Sequence, residues 1–195
     1  MEQINIDVFS AINQFAGRDP LIDDLAILAA EYLPVIFLLP LLYLWFGQNE
    51  NGKDYALLAG YSSVLGIILN FAITLIYFHP RPFMDGIGHV LINHADETSF
   101  PSDHTTLMLS FALLLLFFKS TRTMGCVLTA IGLIGGLARV FCGIHFPFDI
   151  GGSLIVAFVS AIIIWLLRER LAVLNKHIIN LYIKLFDQKV QRNHL

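Results

Sequence analysis

The amino-acid sequence predicts an all-α polytopic membrane protein: a helical bundle of five or six spans preceded by an amphipathic helix. The chain has 195 residues, of which 56% are hydrophobic, and its mean hydropathy of +0.71 exceeds what soluble domains of this size usually show. Several segments reach the ~20 consecutive apolar residues that a helix needs to cross a bilayer. Clusters of polar residues stand at the ends of these segments, where a transmembrane helix meets water.

The predicted helices follow one another in a simple order. Apolar residues at helical spacing over 4–15 predict a short amphipathic helix that lies on the membrane surface. Five spans are then expected at about 24–46, 55–78, 102–118, 124–141 and 148–167. The third span is the shortest, so we expect its first turn at or slightly below the membrane interface.

The chain is expected to form a single membrane-embedded domain over 1–195, with its core at 20–168. In the tail, 169–195, apolar residues keep helical spacing but lysine and arginine interrupt them. This pattern predicts a cationic amphipathic helix on one leaflet, and a partly disordered tail is the alternative. The net charge of −3 gives no reason to expect a nucleic-acid partner, whereas membrane lipids are expected partners.

Lysine and arginine also predict the orientation of the chain. Most of them lie at the exits of the odd-numbered spans or in the tail, and the other side holds only Arg18, Arg81 and Arg139. The positive-inside rule therefore places the tail in the cytoplasm and the N-terminus outside. Three polar clusters, at residues 79–82, 101–104 and 138–149, then lie on the outer face, so we expect them to meet.

The first two clusters offer groups that bind anions. Arg81, in His-Pro-Arg-Pro, carries a planar guanidinium that matches phosphate oxygens. Ser102 or Asp103 can cap the third span, whose N-terminus suits an anion, and His104 lies in its first turn. The alternatives are an arginine bound to lipid headgroups and ordinary helix capping beside an interfacial histidine.

The third cluster adds a charged residue near the end of a span and a histidine–carboxylate pair. Arg139 is costly at that depth unless it is paired or solvated. His145 and Asp149 are i,i+4 neighbours if helical, and a hydrogen bond between them would make the other ring nitrogen more nucleophilic. Three unrelated interfacial residues are the alternative. Taken together, the clusters describe a phosphoryl-transfer site that needs no metal or cofactor.

The clusters resemble the signature of the type-2 phosphatidic acid phosphatase superfamily, which is a lysine, six residues and Arg-Pro, then Pro-Ser-Gly-His, then Ser-Arg, five residues, His, three residues and Asp. Arg81-Pro82 match the end of the first block. The second and third blocks are matched by Pro101, Ser102, His104, Arg139, His145 and Asp149. The departures are Thr74 for the lysine, Asp103 for the glycine and Ala138 for the serine. The variant is similar to the bacterial undecaprenyl pyrophosphate phosphatases linked to bacitracin resistance.

The resemblance implies a fold, an activity and a role for each residue. It implies that His145 is the nucleophile, that Asp149 orients it, and that His104 is first the general acid and then the base. Arg81, Ser102 and Arg139 would hold the phosphoryl group. The implied substrate is a long polyprenyl pyrophosphate presented at the outer face of the bacterial inner membrane, and the products are undecaprenyl phosphate and inorganic phosphate.

Further candidates for substrate binding are Asp103, Pro82 and Thr74, and candidates for the pocket are Glu31 and Asn70. Glu31 is an acid within the first span, and Asn70 and Thr74 lie one turn apart on the second; a snorkelling acid and interhelical hydrogen bonds are the alternatives. We expect Asp103 to pair with Arg81 or to cap the third span. The connection 83–100 could form a lid.

Other functions remain open at this point. The same chemistry would serve a phosphatase for phosphatidic acid or phosphatidylglycerol phosphate, or a transferase that moves phosphate between lipids. A membrane transporter or lipid-binding protein with a non-catalytic site belongs to a different class, and the intact His104, His145 and Asp149 argue against it. The sequence leaves the oligomeric state open.

Overall fold

The computed structural model describes residues 2–47 and 50–192, and within these ranges the regular structure is entirely helical, as predicted. The α-helices are α1 (Glu2–Asn13), α2 (Pro20–Ile36), α3 (Leu38–Leu42), α4 (Glu50–Thr74), α5 (Asp103–Leu116), α6 (Arg122–Phe141) and α7 (Pro147–Arg192). A π-helix, Tyr43–Gly47, extends α3, and a short 3-10 helix, Pro82–Asp85, lies in the α4–α5 connection.

Five segments of the described chain can serve as membrane spans. Four are long and apolar enough to cross a bilayer by length and composition: Pro20–Gly47, Asn51–Thr74, Arg122–Phe141 and Pro147–Phe186. The fifth, α5, is apolar but has only 14 residues, about 21 Å of helix against the ~30 Å of a bilayer core. The expectation of a short third span is confirmed, and α5 is shorter than its predicted range.

The first span is interrupted at Phe37, which separates α2 from α3. Pro40 explains the break, because proline has no N–H to donate and its ring clashes with the carbonyl oxygen four residues earlier, that of Ile36. Ile36 is the last residue of α2. Many apolar side chains of this span face outward, among them Leu25, Leu28 and Leu39, as expected of a helix surrounded by lipid.

Helix α5 is the centre of the bundle. Ten of its 14 residues are buried, and it packs against α4, α6 and α7, and to a lesser extent against α2. Its apolar side chains join the largest core cluster, which includes Leu109, Ala112 and Leu115. Because α5 is surrounded by helices, its N-terminus, where the second polar cluster lies, is fixed relative to the ends of the neighbouring spans.

The second span ends earlier than predicted. Helix α4 stops at Thr74, not at Phe78, and the chain leaves the helix before Pro80 and Pro82. Proline disfavours helical backbone in the residue before it, so the two prolines keep the His79–Pro82 segment extended. The residues 75–78 remain exposed, and their hydropathy alone made them look like part of the span.

Helix α1 confirms the predicted N-terminal helix, but its buried face is partly polar. Asn5, Phe9 and Asn13 are buried against the protein, whereas Ile4 and Val8 are exposed. The Asn13 amide nitrogen donates to the carbonyl oxygens of His89 (2.8 Å) and Phe141 (2.7 Å), and its oxygen accepts from the N–H of His89 (2.6 Å). The Asn5 oxygen accepts from the N–H of Phe148 (2.9 Å). Helix α1 thus holds the connections on which the third cluster lies.

The fifth span does not end near Leu167, as predicted, but continues into the tail. Helix α7 has 46 residues, about 69 Å at 1.5 Å per residue. No break separates span from tail in the described residues, so the tail is not a separate helix on a leaflet. Tyr182 packs against Trp45 with ring centroids 5.2 Å apart. Residues 193–195 of the predicted tail lie outside the described residues.

Candidate active site

The structure brings the three polar clusters together around one cavity of about 490 Å³. The α4 end and the α4–α5 connection form part of its wall, and the α5 N-terminus, Arg139 and His145 form the rest. The lining side chains are those of Phe71, Thr74, Phe78, Arg81, His94, Glu97, Thr98, Pro101, Asp103, His104, Arg139 and His145. The expected convergence of the clusters is therefore seen in the structure.

A tight reversal between α6 and α7 presents the third cluster. Helix α6 ends at Phe141 and α7 begins at Pro147. Gly143 makes the turn with a φ of +80°, which favours glycine, and a Cβ atom there would also collide with the carbonyl oxygen of His89. The reversal places His145 just before α7 and Asp149 in its first turn.

His145 and Asp149 form the predicted pair, and both are buried. The distance from His145 Nδ1 to Asp149 Oδ2 is 3.3 Å, and the same oxygen accepts from the N–H of Phe146 (2.7 Å). On the other side of the ring, Arg81 Nη1 lies 3.3 Å from Nε2. Arginine can only donate, so Nε2 accepts and Nδ1 carries the proton. In this tautomer the Nε2 lone pair is directed at Arg81 Nη1, and both side chains line the cavity.

Arg81 is buried and held by the loop that precedes α5. Besides contacting His145, its Nη1 donates to the carbonyl oxygen of Ile144 (2.9 Å). Its Nη2 pairs with the Glu97 carboxylate (3.1 Å) and reaches the carbonyl oxygen of Thr98 (3.4 Å). Its Nε–H is buried and has no hydrogen-bond acceptor among the described residues.

Arg139 lies on α6 and is also buried. Its Nη1 donates to the carbonyl oxygen of Ala30 on α2 (2.9 Å), and its Nε–H, like that of Arg81, lacks an acceptor in the described part of the chain. Two guanidinium groups thus line one cavity. Anions are the ligands that such an arrangement favours.

The second cluster is split between the cavity and the protein interior. Pro101, Asp103 and His104 line the cavity, so the N-terminus of α5 borders it. Ser102 is fully buried and is not among the lining residues; its hydroxyl oxygen accepts from the Thr105 hydroxyl (3.1 Å). Direct contact of Ser102 with a phosphoryl group stays a prediction.

The expectation for Asp103 is wrong in both its forms. Asp103 is the first residue of α5 and forms no ion pair with Arg81 within the hydrogen-bond and ion-pair distances that the described residues show. Its Oδ1 instead accepts from the Asn70 amide (2.9 Å). This hydrogen bond joins α5 to α4 beside the cavity. A carboxylate in the first turn also complements the helix dipole.

The remaining candidates are placed unevenly. Thr74 lines the cavity, but its hydroxyl donates to the carbonyl oxygen of Phe71 (2.8 Å). Asn70 is buried behind Asp103, and Pro82 is buried at the start of the 3-10 helix. Glu31 is exposed and is not among the lining residues.

Sequence reasoning missed three residues of the 79–100 segment. His79 Nδ1 lies 3.4 Å from Asp149 Oδ1, so Asp149 contacts two imidazoles. Glu97 pairs with Arg81, and His94 Nδ1 lies 3.4 Å from the same Glu97 oxygen. The only signal was their presence in two polar stretches, because these contacts join residues that are far apart in sequence.

Burial and charge set the protonation of the histidines in the connections. Burial lowers the pKa of His145 to about 4, outweighing the opposite effect of Asp149. Burial and then Arg81 lower the pKa of His94. In contrast, the hydrogen-bonding interaction with Asp149 raises the pKa of His79 above 6.5. His145 is therefore neutral near pH 7, as a nucleophile must be.

No group of three or more His, Cys, Asp or Glu side chains among the described residues could hold a metal ion. Of the histidines that line the cavity, His94 and His145 have carboxylate partners.

Comparisons with known proteins show the family of this chain. Residues 55–172 match the family model described as the PAP2 superfamily. The chain is 35% identical over 189 residues to the undecaprenyl-diphosphatase BcrC of Bacillus subtilis (strain 168), covering 97% of this chain and 95% of that protein. It is 29% identical to the putative undecaprenyl-diphosphatase YbjG of Escherichia coli (strain K12), over 85% of this chain and 84% of the other.

Solved structures share the fold. The crystal structure of LpxE from Aquifex aeolicus aligns with a TM-score of 0.65 at 24% identity, covering 83% of this chain and 94% of that one. A PAP2-type phosphatidylglycerolphosphate phosphatase from Bacillus subtilis aligns with a TM-score of 0.59 at 20% identity, covering 87% and 86%. With a matching family model, near-full-length relatives and a converged three-block site, the chain belongs to the PAP2 superfamily.

Proposed function

We propose that this membrane phosphatase hydrolyses undecaprenyl diphosphate to undecaprenyl phosphate and inorganic phosphate, and so recycles the lipid carrier of cell-wall synthesis. The observation that carries the proposal is the state of His145. Its Nδ1–H faces Asp149, its Nε2 accepts from Arg81 Nη1, and both His145 and Arg81 line the cavity. The substrate is supported by the near-full-length relative that is named an undecaprenyl-diphosphatase.

The first half of the reaction forms a phospho-histidine. His145 Nε2 attacks the terminal phosphorus atom, and the bond from phosphorus to the bridging oxygen breaks. His104 gives a proton to that oxygen, so undecaprenyl phosphate leaves. The imidazole gains positive charge as the new N–P bond forms, and Asp149 stabilises that charge through the Nδ1–H.

The second half returns the enzyme to its starting state. His104, now neutral, takes a proton from a water molecule whose oxygen attacks the phosphorus atom. The N–P bond breaks, its electron pair returns to Nε2, and inorganic phosphate leaves. One histidine thus serves as acid and then as base, while the other carries the phosphoryl group.

Negative charge on the phosphoryl oxygens needs donors that are already in place. The guanidinium groups of Arg81 and Arg139, which line the cavity, and the α5 N-terminus, which borders it, supply them. Thr74 and Asp103, where the family signature has lysine and glycine, make this surrounding less cationic. We expect the departures to affect binding of the phosphate groups more than the chemistry at His145.

The proposal includes the place of the site in the cell. The chain is a multi-pass membrane protein, and we infer that its cavity opens at the outer face of the bacterial cytoplasmic membrane with the C-terminus in the cytoplasm. The support is the charge distribution: basic residues such as Lys53, Lys119 and Arg122 lie at the end of the bundle opposite the cavity.

Phosphate release from undecaprenyl diphosphate by the purified protein in detergent, with a chelator present, tests the activity. We expect release to survive chelation, to disappear in His145→Ala, and to persist in His177→Ala, a matched control on the exposed part of α7. A panel with phosphatidic acid and phosphatidylglycerol phosphate tests the substrate. Strict dependence on an added metal ion would contradict the mechanism, and a preference for a monophosphate lipid would contradict the substrate.

A further inference from the structure

The Asp149 carboxylate has an imidazole on each oxygen. His145 Nδ1 lies 3.3 Å from Oδ2, and His79 Nδ1 lies 3.4 Å from Oδ1. The Asp149 side chain is fully buried, so no solvent is available to solvate either oxygen. Oδ2 also accepts from the N–H of Phe146, whereas Oδ1 has no hydrogen-bond partner in the described part of the chain, so its contact with His79 Nδ1 is an ion-pair contact.

His79 is held in this position from several sides. Its backbone N–H donates to the Thr98 hydroxyl (3.1 Å), and its carbonyl oxygen accepts from the N–H of Ser99 (2.7 Å). Its Nδ1 lies 2.8 Å from Ser99 Oγ, and its ring packs edge-on against Phe146 with centroids 5.3 Å apart. His79 is therefore held by Thr98 and Ser99 in the α4–α5 connection and by Phe146 in the α6–α7 turn.

The surrounding bonds define which atom of His79 carries the proton. The Ser99 hydroxyl donates to the carbonyl oxygen of Pro80 (3.2 Å). A hydroxyl has one proton to donate, so Ser99 Oγ accepts from His79, and Nδ1 bears the hydrogen. That hydrogen is directed at Ser99 Oγ, and Asp149 Oδ1 lies 3.4 Å from the same Nδ1. Contacts of this kind are often long without substrate and tighten in the reacting complex.

We propose that His79 is a positioning residue, which holds Asp149 through Oδ1 so that Oδ2 stays directed at His145 Nδ1. His79 is not among the residues that line the cavity, so it acts on the nucleophile through Asp149 and not on the substrate. A buried carboxylate charge without a partner is costly, and without His79 the carboxylate would rotate or draw in another group. The raised pKa of His79, caused first by Asp149, is consistent with this contact.

Two amide substitutions separate a specific hydrogen bond from general packing. The amide of Asn occupies the position of Nδ1 in histidine, whereas the amide of Gln reaches the position of Nε2. We therefore expect His79→Asn to keep kcat within about threefold of the unsubstituted protein. His79→Gln and His79→Ala should lower kcat by about tenfold or more, the scale seen for lost partners of active-site histidines. KM should stay within about twofold in all three, since His79 does not reach the substrate.

The inference rests on the proposed function, so it also needs a measurement that does not require turnover. In protein with 15N-labelled histidine, the Nδ1–H resonance of His145 is identified by its loss in His145→Ala. Its chemical shift should be the same in the unsubstituted protein and in His79→Asn, and different in His79→Gln. Thermal unfolding in detergent identifies any variant that fails to fold, and the Asn and Gln pair remains if His79→Ala is lost. The proposal is overturned if Asn and Gln give equal kcat and equal resonances, or if the change lies in KM alone. A lack of activity in the unsubstituted protein would reject the proposed function while the resonance still reports on His79.

Discussion

Glu97 occupies a side of Arg81 that a phosphate group would use, and replacing it with glutamine tests that competition. Glu97 Oε1 lies 3.1 Å from Arg81 Nη2 at the cavity wall. Glutamine keeps the shape of the side chain but removes its charge. Without the competing carboxylate, Arg81 should bind a substrate phosphate more tightly, so we expect KM for the lipid diphosphate to fall while kcat changes little.

The structure bounds the size of the effect. The Glu97 side chain is 56% exposed, although that of Arg81 is only 5% exposed, so the pair is screened by solvent on one side. Such pairs contribute about 0.2–1 kcal/mol. At 1.4 kcal/mol for each factor of ten, releasing Arg81 should lower KM by roughly 1.4- to 5-fold. Raising the salt concentration should shrink the difference, because Glu97 lies at the solvent boundary.

Steady-state phosphate release across a range of substrate concentrations gives both constants, and inhibition by inorganic phosphate gives an independent measure of affinity. Glu169→Gln is the matched control, because Glu169 pairs with Arg168 at 3.2 Å on α7 and is 85% exposed, outside the cavity. A higher KM in Glu97→Gln would refute the reasoning, since it would mean that Glu97 orients Arg81 for the substrate. An equal shift in Glu169→Gln would do so as well.

Three more outcomes follow from the geometry. Asn13→Ala removes the partners of the His89 N–H and of two carbonyl oxygens, so the free energy of unfolding should fall by about 1–3 kcal/mol. Gln14→Ala, at an exposed position of the same segment, should leave the thermal midpoint unchanged. Asp103→Gly removes the hydrogen bond with Asn70 and a favourable first-turn charge; a thermal midpoint unchanged from the parent would contradict this role. The folded-state pKa of His79 is raised above 6.5, so the stabilisation from its cation is fully present below that pH and is lost as pH rises through the raised pKa. Thermal scans should show the stability difference between the parent and His79→Asn shrinking over that rise.

The span pattern and the site's three clusters could be predicted from sequence because both are local in origin. Hydropathy over 20–47 or 122–141 reports directly on a helix in lipid. Arg139, His145 and Asp149 lie within eleven residues at the junction of two spans, so their meeting needs no long-range packing. The positive-inside rule, applied to the lysine and arginine residues, then predicted that the other two clusters lie on the same face of the membrane.

The missed features depend on contacts across the chain or on backbone bonding that hydropathy does not report. His79 reaches Asp149 only because α4 ends at Thr74 and the prolines that follow direct the chain toward α7. Hydropathy extended the second span to Phe78, because it reports how apolar a side chain is and does not distinguish a helical residue from a loop residue. The tail was separated from the last span because its charges look like an interface, although helical hydrogen bonding does not stop at a charge.

Helix α1 bears on what a minimal form of this protein would be. Asn5 and Asn13 supply hydrogen bonds at both ends of the α6–α7 turn, at Phe148 and at Phe141. A chain shortened to begin after Arg18 would keep every residue of the three-block signature and all five spans. It would nevertheless leave the nucleophile on a turn with unmatched polar groups. The full three-block motif alone is thus a weaker criterion for an active protein than the motif together with helix α1.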